Sequence, residues 1–272
     1  MLFSSSLYAN NAITWQTIHF PPLSILKGPD KGSGQLDHFL PYLQQQLPQY
    51  KHYNAEVNWA RIFKSIKHGK EICSNMVFKT AEREKIAIYT VPVAVALPFR
   101  IIMSKANKAL IGNPSSYSLE KLITDKRFKG ALVNDRSYTP LLDQLFEAHK
   151  GSTNFVRKSI TSESLQTMLQ FGRVDYMIEY PATVSYLSRS NDTFKGKFSS
   201  IAIDEIAPFA LTYLACPKNA WGQQVVKDIN KVIIEKHASD EYIQLISRYY
   251  NQDEIELIKK GLQSAIKSKG EK

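Results

Sequence analysis

The sequence predicts an α/β fold, and two observations support this class. Short runs rich in β-branched and aromatic residues, such as ITWQTI (13–18) and KGALV (129–133), are typical of strands. Between such runs lie segments whose apolar residues recur at helical spacing, as in residues 35–47. Strands and helices that alternate along the whole chain indicate largely parallel sheets covered by helices.

Local signals set the predicted elements of the first part of the chain. Pro48 ends one helix, and His68-Gly69 closes the next. The predicted order is a strand over 13–18, a helix over 35–47, a strand over 54–59, a helix over 59–66, and strands over 72–78, 86–89 and 99–104.

A small, polar segment over 106–118 is the strongest candidate boundary in the chain and is predicted to be a loop. Beyond it, Ser118 and Thr139 are expected to cap helices, Pro140 suits a first helical turn, and Gly172 suits a helix C-terminus. The predicted order is a helix over 119–124, a strand over 129–133, a helix over 141–149, a strand over 155–159, a helix over 162–171, a strand over 174–179, a helix over 181–187, a strand over 199–203, a β-rich stretch over 204–219 and a mostly helical tail over 221–267.

The composition excludes several classes of protein. The 272-residue chain is 43% hydrophobic and 22% charged, which is ordinary for a soluble globular protein of one large or two average domains. Its net charge of +10 comes from scattered lysines without basic runs interleaved with aromatics, so no nucleic-acid partner is expected. The longest apolar stretch, Val91 to Met103, is broken by Pro92, Pro98 and Arg100, and it predicts no membrane span.

Two features bear on the cellular compartment. The N-terminal MLFSSSLYA is apolar and small and precedes polar residues, which resembles the end of a secretory signal and its cleavage site. Residues 1–11 are therefore expected to be residual signal or tail, and the protein to be periplasmic or secreted. Cys73 and Cys216 show no metal-ligand spacing. Two buried free thiols are the favoured interpretation, and a disulfide in an exported protein is the alternative.

Common catalytic motifs are absent, since the chain has no GxSxG, P-loop, HExxH or GxGxxG after a strand. In open α/β sheets, ligands bind beyond the carboxyl ends of strands. Three such ends carry suitable groups, namely His19-Phe20, the segment over 136–139, and Glu179-Tyr180. The start of the helix after residue 139 favours an anion such as a carboxylate. No cofactor and no metal are expected.

Arg100 is a further candidate, because an arginine inside an apolar strand must be paired or must meet a charged ligand. Its planar guanidinium suits a carboxylate. The residues alone leave two interpretations open. Arg100 is either a ligand anchor or one half of an internal ion pair with an acidic residue of another strand.

The order of several short motifs over residues 12–250 resembles the bacterial extracellular solute-binding proteins of type II, in the polar-amino-acid family 3 group. TWQTIHFPPLSI resembles the first strand and aromatic-Pro loop of that family, and TAERE before IAIYTVP resembles its Thr-x-x-Arg turn. SLEKLITDKRFKGALVNDRSYTPLL resembles the opening of the second lobe, and LQTMLQFGRVDYMIEY resembles the motif L-x-x-GR-x-D. FALTYLACPKN resembles the return strand, and SDEYIQLISRYY resembles the C-terminal motif.

The resemblance implies a set of ligand-binding residues. Arg100, in FRIIMSK, stands where the carboxylate-binding arginine of the family lies, and Phe20 stands where an aromatic ring stacks on the ligand. Tyr180 stands where many members carry an Asp that holds the ligand ammonium. The other implied positions are Asn75, Phe78, Ser137, Tyr138, Thr139 and Glu179.

The resemblance also implies two lobes joined by two hinge crossovers, with 12–106 and 206–272 in lobe 1 and 107–205 in lobe 2. The expected function is capture of a small carboxylate-bearing, amino-acid-like solute in the interlobe cleft. The protein is expected to be a monomer without enzymatic activity that delivers its ligand to an ABC permease in the membrane. Two alternatives stay open: a ligand-sensing domain, and a periplasmic lyase or dehydratase on the same fold that uses Glu179 and His19.

Overall fold

The computed structural model describes residues 11–189, 196–207, 209–250 and 252–270. Residues 1–10, which make up nearly all of the expected N-terminal tail, lie outside the described residues. Within the described ranges, 13 strands and 11 helices alternate along the chain, which confirms the predicted α/β class.

The bounds of the elements are as follows. The strands are β1 (Ala12–Thr17), β2 (Lys51–Glu56), β3 (Ile72–Ser74), β4 (Ala87–Tyr89), β5 (Ala94–Ala96), β6 (Arg100–Ser104), β7 (Ser116–Tyr117), β8 (Gly130–Val133), β9 (Phe155–Lys158), β10 (Tyr176–Glu179), β11 (Phe198–Ile203), β12 (Ala210–Thr212) and β13 (Ala215–Pro217). The helices are α1 (Gln35–Gln45), α2 (Trp59–Lys67), α3 (Ala81–Glu84), α4 (Lys105–Leu110), α5 (Leu119–Thr124), α6 (Pro140–Ala148), α7 (Ser162–Gln170), α8 (Pro181–Arg189), α9 (Ala220–Lys236), α10 (Asp240–Ile246) and α11 (Gln252–Gly270).

Lobe 1 is the part of the chain built around β1. This strand is the centre of a parallel sheet in the order β2-β1-β3, with Trp15 opposite Asn54 on one side and Cys73 on the other. Two short antiparallel pairs, β4 with β13 and β5 with β12, belong to the same lobe. Helices α1, α9, α10 and α11 cover these strands and share one core that contains Trp15, Phe39 and Ile229.

Lobe 2 is the part of the chain that forms a six-stranded mixed sheet in the order β7-β11-β6-β10-β8-β9. β6 is antiparallel to both β10 and β11, and the other pairs are parallel. One face of the sheet packs on a core that contains Phe128 and Phe146, and the other face packs on Leu165 and Leu169 of α7. The burial of both faces explains why its strands consist of nearly continuous apolar runs.

The chain crosses from lobe 1 to lobe 2 between β5 and β6 and returns between β11 and β12. This arrangement confirms a two-lobed fold with two crossovers. The first crossing ends before Arg100, because β6 pairs entirely within the lobe 2 sheet. It therefore comes earlier in the chain than the expected boundary after residue 106.

Residues 106–118 are not a continuous loop, so that prediction is wrong: the segment contains most of α4 and all of β7. The Ser104 hydroxyl caps α4 by accepting a hydrogen bond from the Asn107 N–H at 3.0 Å. The Asn107 side chain donates to the Asp175 carbonyl oxygen at 3.1 Å. None of the α4 residues is buried, so the helix shows no apolar periodicity and depends on these polar contacts instead.

None of the helices in the part of the chain that the structure describes combines the length and the apolar composition needed to cross a bilayer.

Cys73 and Cys216 form a disulfide bond, so the preference for two free thiols is wrong. Cys73 lies in β3 and Cys216 in β13, and their Cα atoms are 4.4 Å apart. Both residues are fully buried in the lobe 1 core. The spacing of two cysteines in a sequence cannot reveal such a pair, because it depends on two distant strands that become neighbours.

Loss of this disulfide should destabilise the protein. The cysteines are 143 residues apart in sequence, and a cross-link over a long loop removes conformational entropy from the unfolded chain, typically about 2–5 kcal/mol of stability. The Cys73→Ala/Cys216→Ala variant should therefore have a lower denaturation midpoint than the wild type.

Reductant provides the control for this prediction. Wild-type protein that is denatured and refolded with reductant should have a lower denaturation midpoint. The denaturation midpoint of the double variant should not change. Intact mass under non-reducing conditions should show wild-type protein two hydrogen masses lighter than its fully reduced form. Identical masses would show that the bond does not form.

Candidate functional site

A central cavity of about 80 Å³ lies between the two lobes. This volume is smaller than that of most small-molecule sites. Both lobes contribute aromatic rings to its wall, which are those of Phe20, Trp59, Phe78, Phe99, Tyr180, Tyr249 and Tyr250. The polar residues of the wall are Gln35, Arg83, Arg136, Ser137, Thr183 and Thr212.

A tight turn after β1 places Phe20 in this wall. The backbone groups of Phe20 and Ser24 exchange two hydrogen bonds of 2.8 and 2.9 Å. Asp37, in the first turn of α1, holds the turn in place, because its carboxylate accepts from the Ile25 N–H at 2.8 Å and from the Ser24 hydroxyl at 3.0 Å. The Phe20 ring is thereby fixed at the face of lobe 1 that meets lobe 2.

Arg136 and Glu179 form a buried ion pair on the lobe 2 side, and their side chains are only 2% and 1% exposed. The pair is bidentate, with Nη1 to Oε2 at 2.7 Å and Nη2 to Oε1 at 2.9 Å. Glu179 also accepts from the Ser162 hydroxyl at 2.7 Å and from the Tyr180 N–H at 2.8 Å. Burial by itself would lower the pKa of Arg136, but the Glu179 carboxylate holds that pKa above its ordinary value.

Four aromatic rings surround the Arg136 guanidinium. Its central carbon lies 4.4 Å from the ring centroid of Phe20, 4.9 Å from that of Tyr138, 5.0 Å from that of Phe99 and 5.5 Å from that of Tyr180. These distances permit cation–π attraction, which is strongest where water is excluded. Because Phe20 belongs to lobe 1 and Arg136 to lobe 2, this contact joins the two lobes.

A second polar contact joins the lobes at the surface. The Tyr186 hydroxyl, on α8 of lobe 2, donates a hydrogen bond of 3.0 Å to Asp30 in the loop before α1. Partial burial, followed by this hydrogen bond, raises the pKa of Tyr186 to about 12. The hydroxyl therefore stays protonated and able to donate at neutral pH.

Arg83 is the other cation in the cavity wall, and its local structure fixes its position. Thr80 caps α3 by accepting from the Arg83 N–H at 3.3 Å. The Arg83 Nη1 donates to the Phe78 carbonyl oxygen at 3.1 Å, and the guanidinium lies 4.0 Å from the ring centroid of Phe63. Burial lowers the pKa of Arg83, and nearby Tyr89 and Asp143 oppose this shift only in part.

Among the described residues, no carboxylate lies within ion-pair distance of Arg83. The two cavity arginines therefore differ in charge balance. Arg136 is neutralised by Glu179, whereas Arg83 lines the cavity and has no ion pair within the described part of the chain. An arginine remains protonated in such a setting, so this part of the wall attracts anions.

Four of the ten residues singled out from the sequence line the central cavity: Phe20, Phe78, Ser137 and Tyr180. The other six do not line it, and they are His19, Asn75, Arg100, Tyr138, Thr139 and Glu179. Several of these have structural contacts instead. Tyr138 is buried and accepts from the Val133 N–H at 2.8 Å, and Thr139 caps α6 by accepting from the Leu142 N–H at 3.2 Å.

Arg100 lies at the start of β6, opposite Glu179 in the sheet. The two side chains do not form an ion pair, because the Glu179 carboxylate already binds Arg136. The Nε atom of Arg100 is buried and has no hydrogen-bond partner among the described residues. The structure therefore places Arg100 in the lobe 2 sheet, outside the wall of the central cavity.

His19 and Glu179, the two groups considered for proton transfer, are both engaged in the fold. His19 Nδ1 accepts a hydrogen bond from the Leu26 N–H at 3.1 Å, and burial lowers the pKa of its imidazole. His19 lines a separate cavity, which Phe20 also borders. The Glu179 carboxylate has four hydrogen bonds from protein groups and does not reach the central cavity wall.

The sequence reasoning missed Arg83, Trp59 and the tyrosines that precede α11. Arg83 lies in the TAERE turn, which the family resemblance used only as a landmark. The available signal was the cap, because Thr80 sets the start of a one-turn helix just after β3 and so brings Arg83 to a strand end. Tyr249 and Tyr250 had no local signal, since the C-terminal helices must fold back on lobe 1 before these rings reach the cavity.

Comparison with solved structures identifies the fold. A histidine kinase sensor domain with similarity to periplasmic binding proteins matches with a TM-score of 0.69 at 15% identity, over 88% of this chain and 95% of that one. An ancestral arginine-binding protein bound to arginine matches with a TM-score of 0.65 at 19% identity, over 89% and 99%. A structure from work on glutathione import and the cystine ABC importer of Streptococcus mutans matches with a TM-score of 0.69 at 15% identity, over 89% and 95%.

The chain therefore has the two-lobed fold of the type 2 periplasmic binding proteins, and its structural neighbours are solute-binding proteins of family 3 and related sensor domains. Most of these neighbours are binding proteins, not enzymes. No protein-family model matches the sequence, and no curated protein matches it.

Replacement of Glu179 by Gln should destabilise the protein, because it leaves the Arg136 charge buried without a counterion. Breaking a buried ion pair on one side typically costs about 3–5 kcal/mol. The measurement is chemical denaturation of wild type and Glu179→Gln under identical buffer conditions.

The Arg136→Met/Glu179→Gln double variant is the matched control, since it removes both charges and should recover a large part of the lost stability. A single variant as stable as the wild type would contradict the assigned role of the pair. So would a double variant that is as unstable as Glu179→Gln alone.

Proposed function

We propose that this protein captures a small carboxylate-bearing solute between its two lobes and that Arg83 binds the carboxylate. The single observation that carries the proposal is the charge balance of the cavity. Arg83 is the cavity arginine without a carboxylate at ion-pair distance among the described residues, while Arg136 is neutralised by Glu179. A guanidinium in a partly desolvated site binds a carboxylate strongly and with defined geometry.

Capture without chemistry accounts for the rest of the site. The wall is mostly aromatic and aliphatic, which is the usual composition of a binding pocket. The two groups suited to proton transfer, His19 and Glu179, have structural hydrogen bonds. Closure of the lobes around a ligand would exclude water and strengthen the contact with Arg83.

We further propose that the protein acts outside the cytoplasm and hands its ligand to a membrane ABC permease. The buried disulfide between Cys73 and Cys216 supports an oxidising compartment. The arginine-binding and cystine-importer neighbours support a role in uptake. The sensor-domain neighbour favours a second candidate, in which the same closure on a ligand is transmitted to a signalling partner. A pull-down experiment in the presence of ligand separates the two candidate functions. One arm uses membranes that contain an ABC permease, and the other arm uses membranes that contain a sensor kinase.

Arg83→Gln should abolish or strongly weaken carboxylate binding, whereas Arg100→Gln should leave it nearly unchanged. Loss of a charge-assisted hydrogen bond typically weakens the binding free energy by roughly 1.5–3 kcal/mol, which raises the Kd by about 10- to 150-fold. The experiment is a thermal-shift screen of small carboxylates and amino acids, followed by calorimetry on each protein with the compounds that stabilise the wild type.

Two results would contradict the proposal. One is a wild-type protein that no carboxylate stabilises, although a ligand at about 100 times its Kd stabilises a protein by about 2.7 kcal/mol. The other is a carboxylate that loses affinity for Arg100→Gln but not for Arg83→Gln, which would return the anchor to Arg100.

A further inference from the structure

The central cavity offers no anionic partner to a cationic group on a ligand. Its wall contains no Asp and no Glu among the described residues. Glu179 lies directly behind the wall, but its two oxygens already accept four hydrogen bonds, two from Arg136, one from Ser162 and one from the Tyr180 N–H. A carboxylate accepts about four hydrogen bonds in total. Glu179 therefore has no capacity left for a ligand ammonium.

The next acidic group behind the wall is occupied as well. Asp143 lies behind Ser137, which itself lines the cavity. One Asp143 oxygen accepts from the Ser137 hydroxyl, and the other accepts from the Tyr138 N–H at 3.0 Å. Arg157 lies 3.9 Å from the same carboxylate. Asp143 is thus held in place in the first turn of α6 and is not one of the residues that line the cavity.

Aromatic faces provide a second way to bind a cation, and three of the seven rings in the wall are already in use. Phe20, Phe99 and Tyr180 line the cavity, and all three rings lie against the Arg136 guanidinium. Tyr180 additionally stacks on Phe99 with their centroids 3.9 Å apart. Arg136 therefore occupies the Glu179 carboxylate and the three rings nearest to it.

The charge that remains in the cavity wall is positive. Arg136 and Glu179 cancel, and Arg83 adds a positive charge that has no ion pair among the described residues. An ammonium brought into this space would lose its hydration, find no anion and face a cation. The penalty for such a desolvated, unpaired charge is large.

The remainder of the wall suits an apolar body. Leu23, Trp59, Met76, Val77 and Val95 line the cavity together with the Phe78 ring. These side chains offer dispersion contacts and bury apolar ligand surface, and they provide few hydrogen-bonding groups. Polar atoms of a ligand that lie against these side chains would have no hydrogen-bond partner in them.

We infer that the ligand of this site is a monocarboxylate with an apolar body, for example an aryl- or alkyl-substituted acid, and that it carries no ammonium group. This inference rests on the proposed function, because it takes Arg83 as the carboxylate anchor. It departs from the amino-acid-like ligand that the sequence suggested.

Matched pairs that differ only by the ammonium group test the inference. The pairs are 3-phenylpropanoate with L-phenylalanine and 4-methylpentanoate with L-leucine, measured by isothermal titration calorimetry on the intact protein. In each pair that gives measurable binding, the acid without the ammonium should bind at least tenfold more tightly. A smaller preference, or tighter binding of the amino acid, in any such pair would overturn the inference, and so would the absence of binding by both acids at millimolar concentration.

Arg83→Gln separates failure of the inference from failure of the proposed function. If an amino acid binds more tightly than its partner and the variant loses that affinity, the ligand class is wrong but the Arg83 anchor stands. If the variant binds 3-phenylpropanoate as well as the wild type does, the anchor itself is wrong and the inference falls with it. Arg100→Gln serves as the matched control, because it removes an equivalent charge from outside the cavity wall.

Discussion

The ion pair between Arg136 and Glu179 is the constraint on which the site depends. It holds together the end of β10, which carries Glu179, and the segment after β8, which carries Arg136. The start of α7 joins them, because Ser162 also donates to the Glu179 carboxylate. A buried charge pair contributes little to stability compared with a well-packed apolar core, but it leaves few alternative arrangements because each partner alone would be very costly. The rings around Arg136 are ordered by the same pair, and the ring from lobe 1 makes this a contact between the lobes.

The pair also decides what the cavity can bind. Because Glu179 neutralises Arg136, neither of these charged groups is left for a ligand, and we therefore propose that Arg83 selects it. The fold is that of solute-binding proteins with bound amino acids among its solved examples. A fold of this kind supports many ligands, because the residues at the cleft set the specificity and the scaffold does not. Here the cleft combines one unpaired guanidinium with an aromatic wall.

Much of the fold was predictable from local signals, and the site was predictable only in part. Ser118 and Thr139 cap helices as the sequence indicates, and Gly172 has the positive φ of 65° that suits a helix end. The strand-end rule found Phe20 and Tyr180, which line the cavity. It could not show that Arg136 and Glu179, 43 residues apart, would bind each other. A buried pair and two separate ligand-binding groups look the same in a sequence, and only the tertiary arrangement distinguishes them.

The most direct test of the account is a crystal structure of the protein grown with 3-phenylpropanoate. The account predicts that the carboxylate oxygens lie about 3 Å from the Arg83 guanidinium, that the phenyl ring packs among the aromatic side chains of the wall, and that the Arg136–Glu179 pair stays intact. A carboxylate bound to Arg136, with Glu179 displaced, would contradict it. So would a carboxylate bound to Arg100.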